Sequence, residues 1–178
     1  MRYQLEGGSV NKAAAAALGT KPLDVVPDVD LQRYLGTWYE IATIPQSFQA
    51  GCVGVTAEYS LRKNGDIQVV NTCLQETLDG KVRKARGKAR VVDRTTNAKL
   101  KVSFFWPFRG AYWVIGLDAD YKWAIVGHPN RKYLWILSRS PQMDEALYGR
   151  LITLIGNKGY DLTKIKKTLQ PVREDAAL

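Results

Sequence analysis

At 178 residues, 46% hydrophobic and 24% charged, the chain is long enough for one domain with a full core and too apolar to be disordered throughout. No apolar run reaches the length that crosses a bilayer; residues 13–18 are far too short, so a soluble chain is expected. A net charge of +9 raises nucleic acid or an anionic membrane surface as partners, but no zinc-ligand set, helix-turn-helix or RNA-binding signature accompanies it, which argues for no nucleic acid.

Residues 1–29, with Gly7-Gly8-Ser9, an alanine run, Pro22 and Pro27, read as a linker, a cloning remnant or the tether of a trimmed precursor. The folded domain is expected over 30–170, followed by a tail over 171–178. From Gly36 onward the pattern has period two. Val53, Val55, Ala57, Tyr59 and Leu61 share one face, with Thr56, Glu58, Ser60 and Arg62 opposite. Lys63-Asn64-Gly65-Asp66 predicts a two-residue type I′ hairpin with Lys63 opposite Asp66, returning through 67–74. A basic strand over 81–92 follows. There Lys84, Arg86, Lys88 and Arg90 form a solvated face that could also attract a membrane surface, while Ala85, Gly87, Ala89 and Val91 face the other way. Next comes 98–106, with Leu100, Val102 and Phe104 inward. Strands over 111–117, 122–127 and 133–139 complete the series, separated by Pro107, Asp118-Ala119-Asp120 and His128-Pro129-Asn130. A helix closes it: Ser140 can cap, Pro141 fits the first turn, Asp144 and Glu145 complement the dipole, and Met143, Leu147, Leu151 and Leu154 make the apolar stripe, ended by Gly156 or Gly159. Residues 162–169 form a short strand or a tail. Counting the strand at Gly36, the expectation is an all-β fold: an eight-stranded antiparallel up-and-down β-barrel with one C-terminal α-helix packed outside, wide enough for one small ligand.

Cys52 and Cys73 leave three readings open: a disulfide, two buried thiols or a reactive nucleophile. No CxxC motif or nearby histidine supports catalysis, and a disulfide requires an oxidising compartment such as the periplasm. The two-residue turn places Cys52 opposite Thr77 rather than Cys73, a gap that a bulge could close. His128 is the single histidine and sits beside Pro129 in a turn, so no metal or cofactor is expected. No Ser-His-Asp set or paired carboxylates can be placed; Glu40 is a lone carboxylate that could point inward.

Three motifs occur in order. Tyr34-Leu35-Gly36-Thr37-Trp38-Tyr39-Glu40-Ile41 resembles the GxW motif that opens lipocalin barrels. Leu117-Asp118-Ala119-Asp120-Tyr121 lies where lipocalins carry an aspartate–tyrosine loop, and Leu134-Trp135-Ile136-Leu137-Ser138-Arg139 looks like the strand ending in the family's arginine. From about 30 to 170 the chain is similar to lipocalins, most of all to the bacterial outer-membrane lipoprotein type and to apolipoprotein D. It departs from them in lacking the extra C-terminal cysteine of apolipoprotein D and the signal and attachment cysteine of many bacterial members. The resemblance implies structural roles for Gly36, Trp38, Asp118, Tyr121 and Arg139, with the Arg139 guanidinium stacked across Trp38 at the closed end. It also implies storage or transport of a fatty acid, lysophospholipid or similar amphiphile, in or facing the periplasm, with an outer-membrane anchor on the precursor.

Parity nominates the lumen residues Ala57, Tyr59, Val69, Asn71, Ala89, Val102, Phe104 and Trp135. Of Tyr112 and Trp113 one faces in; parity does not choose between these neighbours, and Tyr112 is carried as the candidate. Tyr59 and Asn71 are polar groups suited to a carboxylate or ester head. Trp106, Pro107, Phe108 and the loop near Phe48 suggest a hydrophobic rim, which could also support a homodimer with an incidental lumen. The competing expectation is an enzyme on the same barrel, either an isomerase or a thiol-dependent synthase using Cys73.

Overall fold

The alternation resolves into strands whose ends lie close to the expected ones. A computed structural model describes residues 21–104 and 109–172. After a short helix α1 (Leu31–Tyr34) come β1 (Gly36–Thr43), β2 (Cys52–Leu61), β3 (Ile67–Gln75), β4 (Val82–Asp93), β5 (Lys99–Ser103), β6 (Arg109–Leu117), β7 (Trp123–Gly127) and β8 (Leu134–Ser138). Helix α2 (Glu145–Asn157) and a two-residue strand β9 (Lys166–Lys167) follow. Neighbours in sequence pair antiparallel from β2 to β8; β8 pairs with β1, and β1 pairs back to β2, closing the ring. An eight-stranded barrel with one added strand is therefore observed.

Period-two alternation splits the apolar residues into two cores. Inside the barrel lie Trp38, Tyr59, Val69, Leu100, Val114 and Leu137. Outside, Ile115, Ile125, Leu134 and Ile136 pack under α2, whose Leu151 and Ile155 are buried against them. Each such side chain contributes about 1.5–3 kcal/mol by leaving water. Asp144 caps α2 in place of the expected Ser140, because its Oδ1 accepts from the Leu147 amide at 2.9 Å. Gly159, at φ +82°, follows the helix's last turn.

The β2–β3 hairpin differs from the type I′ expectation. Leu61 opposes Ile67, the Arg62 amide donates to the Asp66 carbonyl at 2.8 Å, and Gly65 takes φ +85° and donates to the Arg62 carbonyl at 2.9 Å. The loop thus holds three residues, with only Gly65 left-handed, and the ladder moves by one position. A bulge between Val53 and Thr56, where Gly54 has φ +56°, moves it once more. Cys52 consequently opposes Gln75 rather than Thr77, and bridges diagonally to Cys73 with the Cα atoms 5.4 Å apart. Both cysteines are committed, which removes the thiol-dependent synthase that needed Cys73 free.

Residues 21–29, assigned from sequence to the tether, lie against the barrel. Leu23 and Val29 are buried, and the amides of Val26 and Val29 donate to the carbonyls of Val114 and Thr96 at 3.0 and 2.8 Å. The C-terminal segment is equally integrated. β1 pairs with β2 only from Gly36 to Tyr39; beyond that Ala42 and Thr43 pair with β9. In the seam so opened, Gln170 Nε2 donates to both the Glu40 and Val55 carbonyls at 2.8 Å, and the Gly54 amide donates to the Leu169 carbonyl at 2.7 Å. These bonds satisfy backbone groups that the splayed strands leave behind.

Candidate functional site

The lumen changes character along its axis. At its floor Trp38 is fully buried and donates through Nε1 to the Tyr34 carbonyl at 2.9 Å. The Arg139 guanidinium lies 3.8 Å from the centre of the Trp38 ring and donates to the carbonyls of Thr37, Arg33 and Tyr121 at 2.9, 2.8 and 3.3 Å. Gly36 takes φ +93°, and a Cβ there would stand 3.4 Å from Arg139 Nη1, so the position requires a residue tolerant of the left-handed region. Asp118 Oδ2 accepts from the Asp120 and Lys122 amides at 3.1 Å each, which fixes the turn carrying Tyr121. The Tyr121 hydroxyl accepts from the Asp30 amide at 2.8 Å and so pins α1 across the opening. These five motif residues close the barrel.

Beside Trp38, whose ring centre is 5.1 Å from that of Tyr34, the Tyr112 hydroxyl stands 2.8 Å from that of Tyr34 and 2.9 Å from that of Tyr59. Burial pushes the Tyr59 phenol up to about 12, so it stays neutral and its hydrogen bonds are satisfied within the group. Within the described residues the Tyr59 hydroxyl bonds to Tyr112. Tyr112, not Trp113, faces in: Trp113 lies outside beneath Lys99 Nζ, 4.7 Å from its ring centre. A cavity of about 10 Å³ beside Tyr59, Ile67, Ala89 and Leu100 is at the limit of holding one water, so this level is filled. Val69 and Ala89, each 2% exposed, belong to that filled level.

Toward the mouth the walls loosen. Ala57, Asn71, Val102, Phe104 and Trp135 all retain partial exposure on the inner face. Phe104 stands opposite Gly87; a Cβ on Gly87 would come within 2.8 Å of Phe104 Cδ1 and 2.7 Å of the Ser103 carbonyl, so glycine makes the ring's position attainable. Trp135 Nε1 donates to Gln49 Oε1 at 3.2 Å, and Gln49 Nε2 donates to Glu40 Oε2 at 3.1 Å. Glu40 Oε1 accepts from the Thr168 hydroxyl at 2.6 Å. Burial raises the Glu40 pKa, opposed by the hydrogen bonds from Thr168 and Gln49. Asn71 Oδ1 is buried without a partner among the described residues. The disulfide staples β2 to β3 at this end.

Phe48 is 61% exposed on the β1–β2 loop, while the other expected rim residues, 106–108, lie outside the described residues. His128 sits in its turn, accepting through Nδ1 from the Asn130 amide at 3.2 Å. Sequence reasoning missed Gln49 and Gln170, whose roles depend on a loop and a seam that alternation does not encode. It also passed over Arg83, whose odd position on β4 carries a readable signal: the parity of Ala85 and Ala89.

A closed antiparallel barrel with one end plugged and an apolar, partly open lumen at the other is a container for a small molecule. The chain belongs to the lipocalins: residues 29–170 match the family described as Lipocalin-like domain. It is 40% identical over 159 residues to Outer membrane lipoprotein Blc of Escherichia coli (strain K12), covering 89% of each chain. It is 40% identical over 159 residues to Temperature-induced lipocalin-1 of Arabidopsis thaliana, covering 84% of each. To Apolipoprotein D of Bos taurus it is 34% identical over 154 residues, covering 82% of this chain and 79% of that one. The structure of insecticyanin from the tobacco hornworm Manduca sexta superposes with a TM-score of 0.67 at 23% identity, over 89% of this chain and 88% of that one, a likeness of fold. Family membership places the protein among binders of small hydrophobic molecules.

Proposed function

We propose that this lipocalin carries a long-chain lipid, a fatty acid or lysophospholipid, in the mouth half of its lumen, and that it does so at the periplasmic face of an outer membrane. The observation that supports the cargo is the axial gradient in the lumen: apolar side chains are sealed at the floor but stay partly exposed at Ala57, Val102, Phe104 and Trp135. Inward-facing apolar surface left open to water is what an acyl chain would cover. The location follows the relatives named outer membrane lipoprotein and agrees with a disulfide, which needs an oxidising compartment. The protein is read as a carrier rather than an enzyme.

Net affinity in the micromolar range, about −8 kcal/mol, is expected, because ordering losses offset much of the apolar burial. Titrating delipidated protein with a long-chain fatty acid or a lysophospholipid should change tryptophan fluorescence saturably, with octanoate binding far more weakly. Failure of every acyl ligand to bind below millimolar concentration would replace the carrier by a barrel whose lumen is incidental.

A further inference from the structure

The inward face carries two arginines among the described residues, one at each end. Arg139 at the floor is committed to Trp38 and three carbonyls. Arg83 is different. In the β3–β4 ladder it stands opposite Cys73, and the register runs without a shift from there to Ile67 opposite Ala89. Arg83 therefore shares the inner parity of Ala85, Gly87 and buried Ala89, not the outer parity of Lys84, Arg86, Lys88 and Arg90. It is exposed and forms no ion pair among the described residues. One inward step deeper, roughly 7 Å along the strands, Asn71 opposes Ala85, which keeps the wall below Arg83 uncharged.

The deeper lumen would receive an anion poorly. Its polar groups are neutral phenols bonded to one another, which offer an anion no positive charge. At the mouth an anionic head would keep its water and meet the exposed guanidinium of Arg83, while its chain runs inward past Ala85 and Phe104 toward the tyrosines.

Resting on the carrier reading above, we propose that the cargo is a single-chain anionic amphiphile bound head-out, with Arg83 as the residue that selects its carboxylate or phosphate head. The test compares tetradecanoate, tetradecyl phosphate and uncharged tetradecanol on the intact protein. Wild type should bind the anions more tightly than the alcohol, with a gap that narrows as salt rises; the tighter of the two anions identifies the head. Arg83→Gln should weaken the anions about fivefold and leave tetradecanol unchanged, whereas Arg83→Lys should retain most of the preference. Lys88→Gln makes the same charge change on the outer face of the same strand and should alter none of them. Equal loss of acid and alcohol in Arg83→Gln, equal loss in Lys88→Gln, or wild type holding tetradecanol as tightly as the anions overturns the proposal while leaving a carrier. Should none of the three bind, the carrier reading itself falls. If Arg83→Gln folds poorly, the wild-type preference, its salt dependence and Arg83→Lys still decide.

Discussion

The two ends of this barrel each carry a tryptophan and an arginine on the inner face, arranged to opposite effect. At the floor Trp38 has no exposed surface and Arg139 uses its guanidinium on the ring and on three carbonyls. At the mouth Trp135 stays partly exposed, holding a single hydrogen bond to Gln49, and Arg83 pairs with no carboxylate among the described residues. Satisfied groups make an end rigid and chemically closed; unsatisfied ones leave it able to answer a ligand. The family's recognisable residues thus hold one end shut, while less conspicuous ones leave the other end partly open.

That contrast predicts separable effects on stability and binding. Trp38→Ala should be the most damaging change, about 3–5 kcal/mol, since it empties a fully buried site and strips Arg139 of its platform. Chemical denaturation measures it; wild-type stability in this variant would mean that the plug does not hold the floor. Opening the disulfide acts at the other end. The cysteines are 21 residues apart, so the Cys52→Ser, Cys73→Ser double variant should lose about 2–4 kcal/mol by freeing the unfolded chain. Intact-mass measurement before and after reduction and alkylation should first show the single bridge.

How much of this contrast is legible in the sequence varies by residue. The floor is: Gly36, Trp38 and Arg139 meet as the motifs imply, because alternation fixes which side each faces. The mouth is legible only in part. Tyr112 and Trp113 are neighbours of nearly equal apolarity, so parity without a register cannot separate them. Asn64-Gly65 favours a type I′ turn, yet Asn64 bonds its side chain to the Asp66 amide and carboxylate at 3.2 and 3.0 Å, and the loop takes three residues. The Gly54 bulge then adds a second shift, and only both together bring Cys52 to Cys73. The seam closed by Gln170 has no local signature, since it depends on where β1 and β2 part.

Glu40 sharpens the comparison through pH. Its folded-state pKa is raised, chiefly by burial, so the carboxyl contributes its full stability below the unfolded value near 4.5 and loses it as pH rises through the folded value. Wild type should therefore lose stability from this group between acid and neutral pH. Glu40→Gln keeps the shape, with the amide oxygen accepting from Gln49 and the amide nitrogen donating to the Thr168 hydroxyl, and has no charge to bury. Urea midpoints at pH 4.5 and 7.5 should show the variant gaining on wild type at the higher pH. An equal difference at both values would show that Glu40 titrates normally.

The smallest effect on folding should come from Trp135, and there the two ends part most clearly. Half-buried, it packs beside Tyr133 with ring centres 6.3 Å apart, and its removal leaves the floor intact. Trp135→Ala should shift thermal stability little but weaken a long-chain fatty acid by roughly tenfold, the loss of about 1.4 kcal/mol of apolar contact. Trp135→Phe retains most of that surface but not the N–H that Gln49 accepts, and should fall between the two; if it matches Trp135→Ala, the hydrogen bond and not the apolar wall shapes the site. Lys88→Ala, outside the same barrel, should stay within about twofold of wild type, since an exposed charge that faces away from the ligand is screened by solvent. A Trp135→Ala protein that unfolds as readily as Trp38→Ala would place this tryptophan in the sealed core, and the mouth would have to be sought elsewhere on the rim.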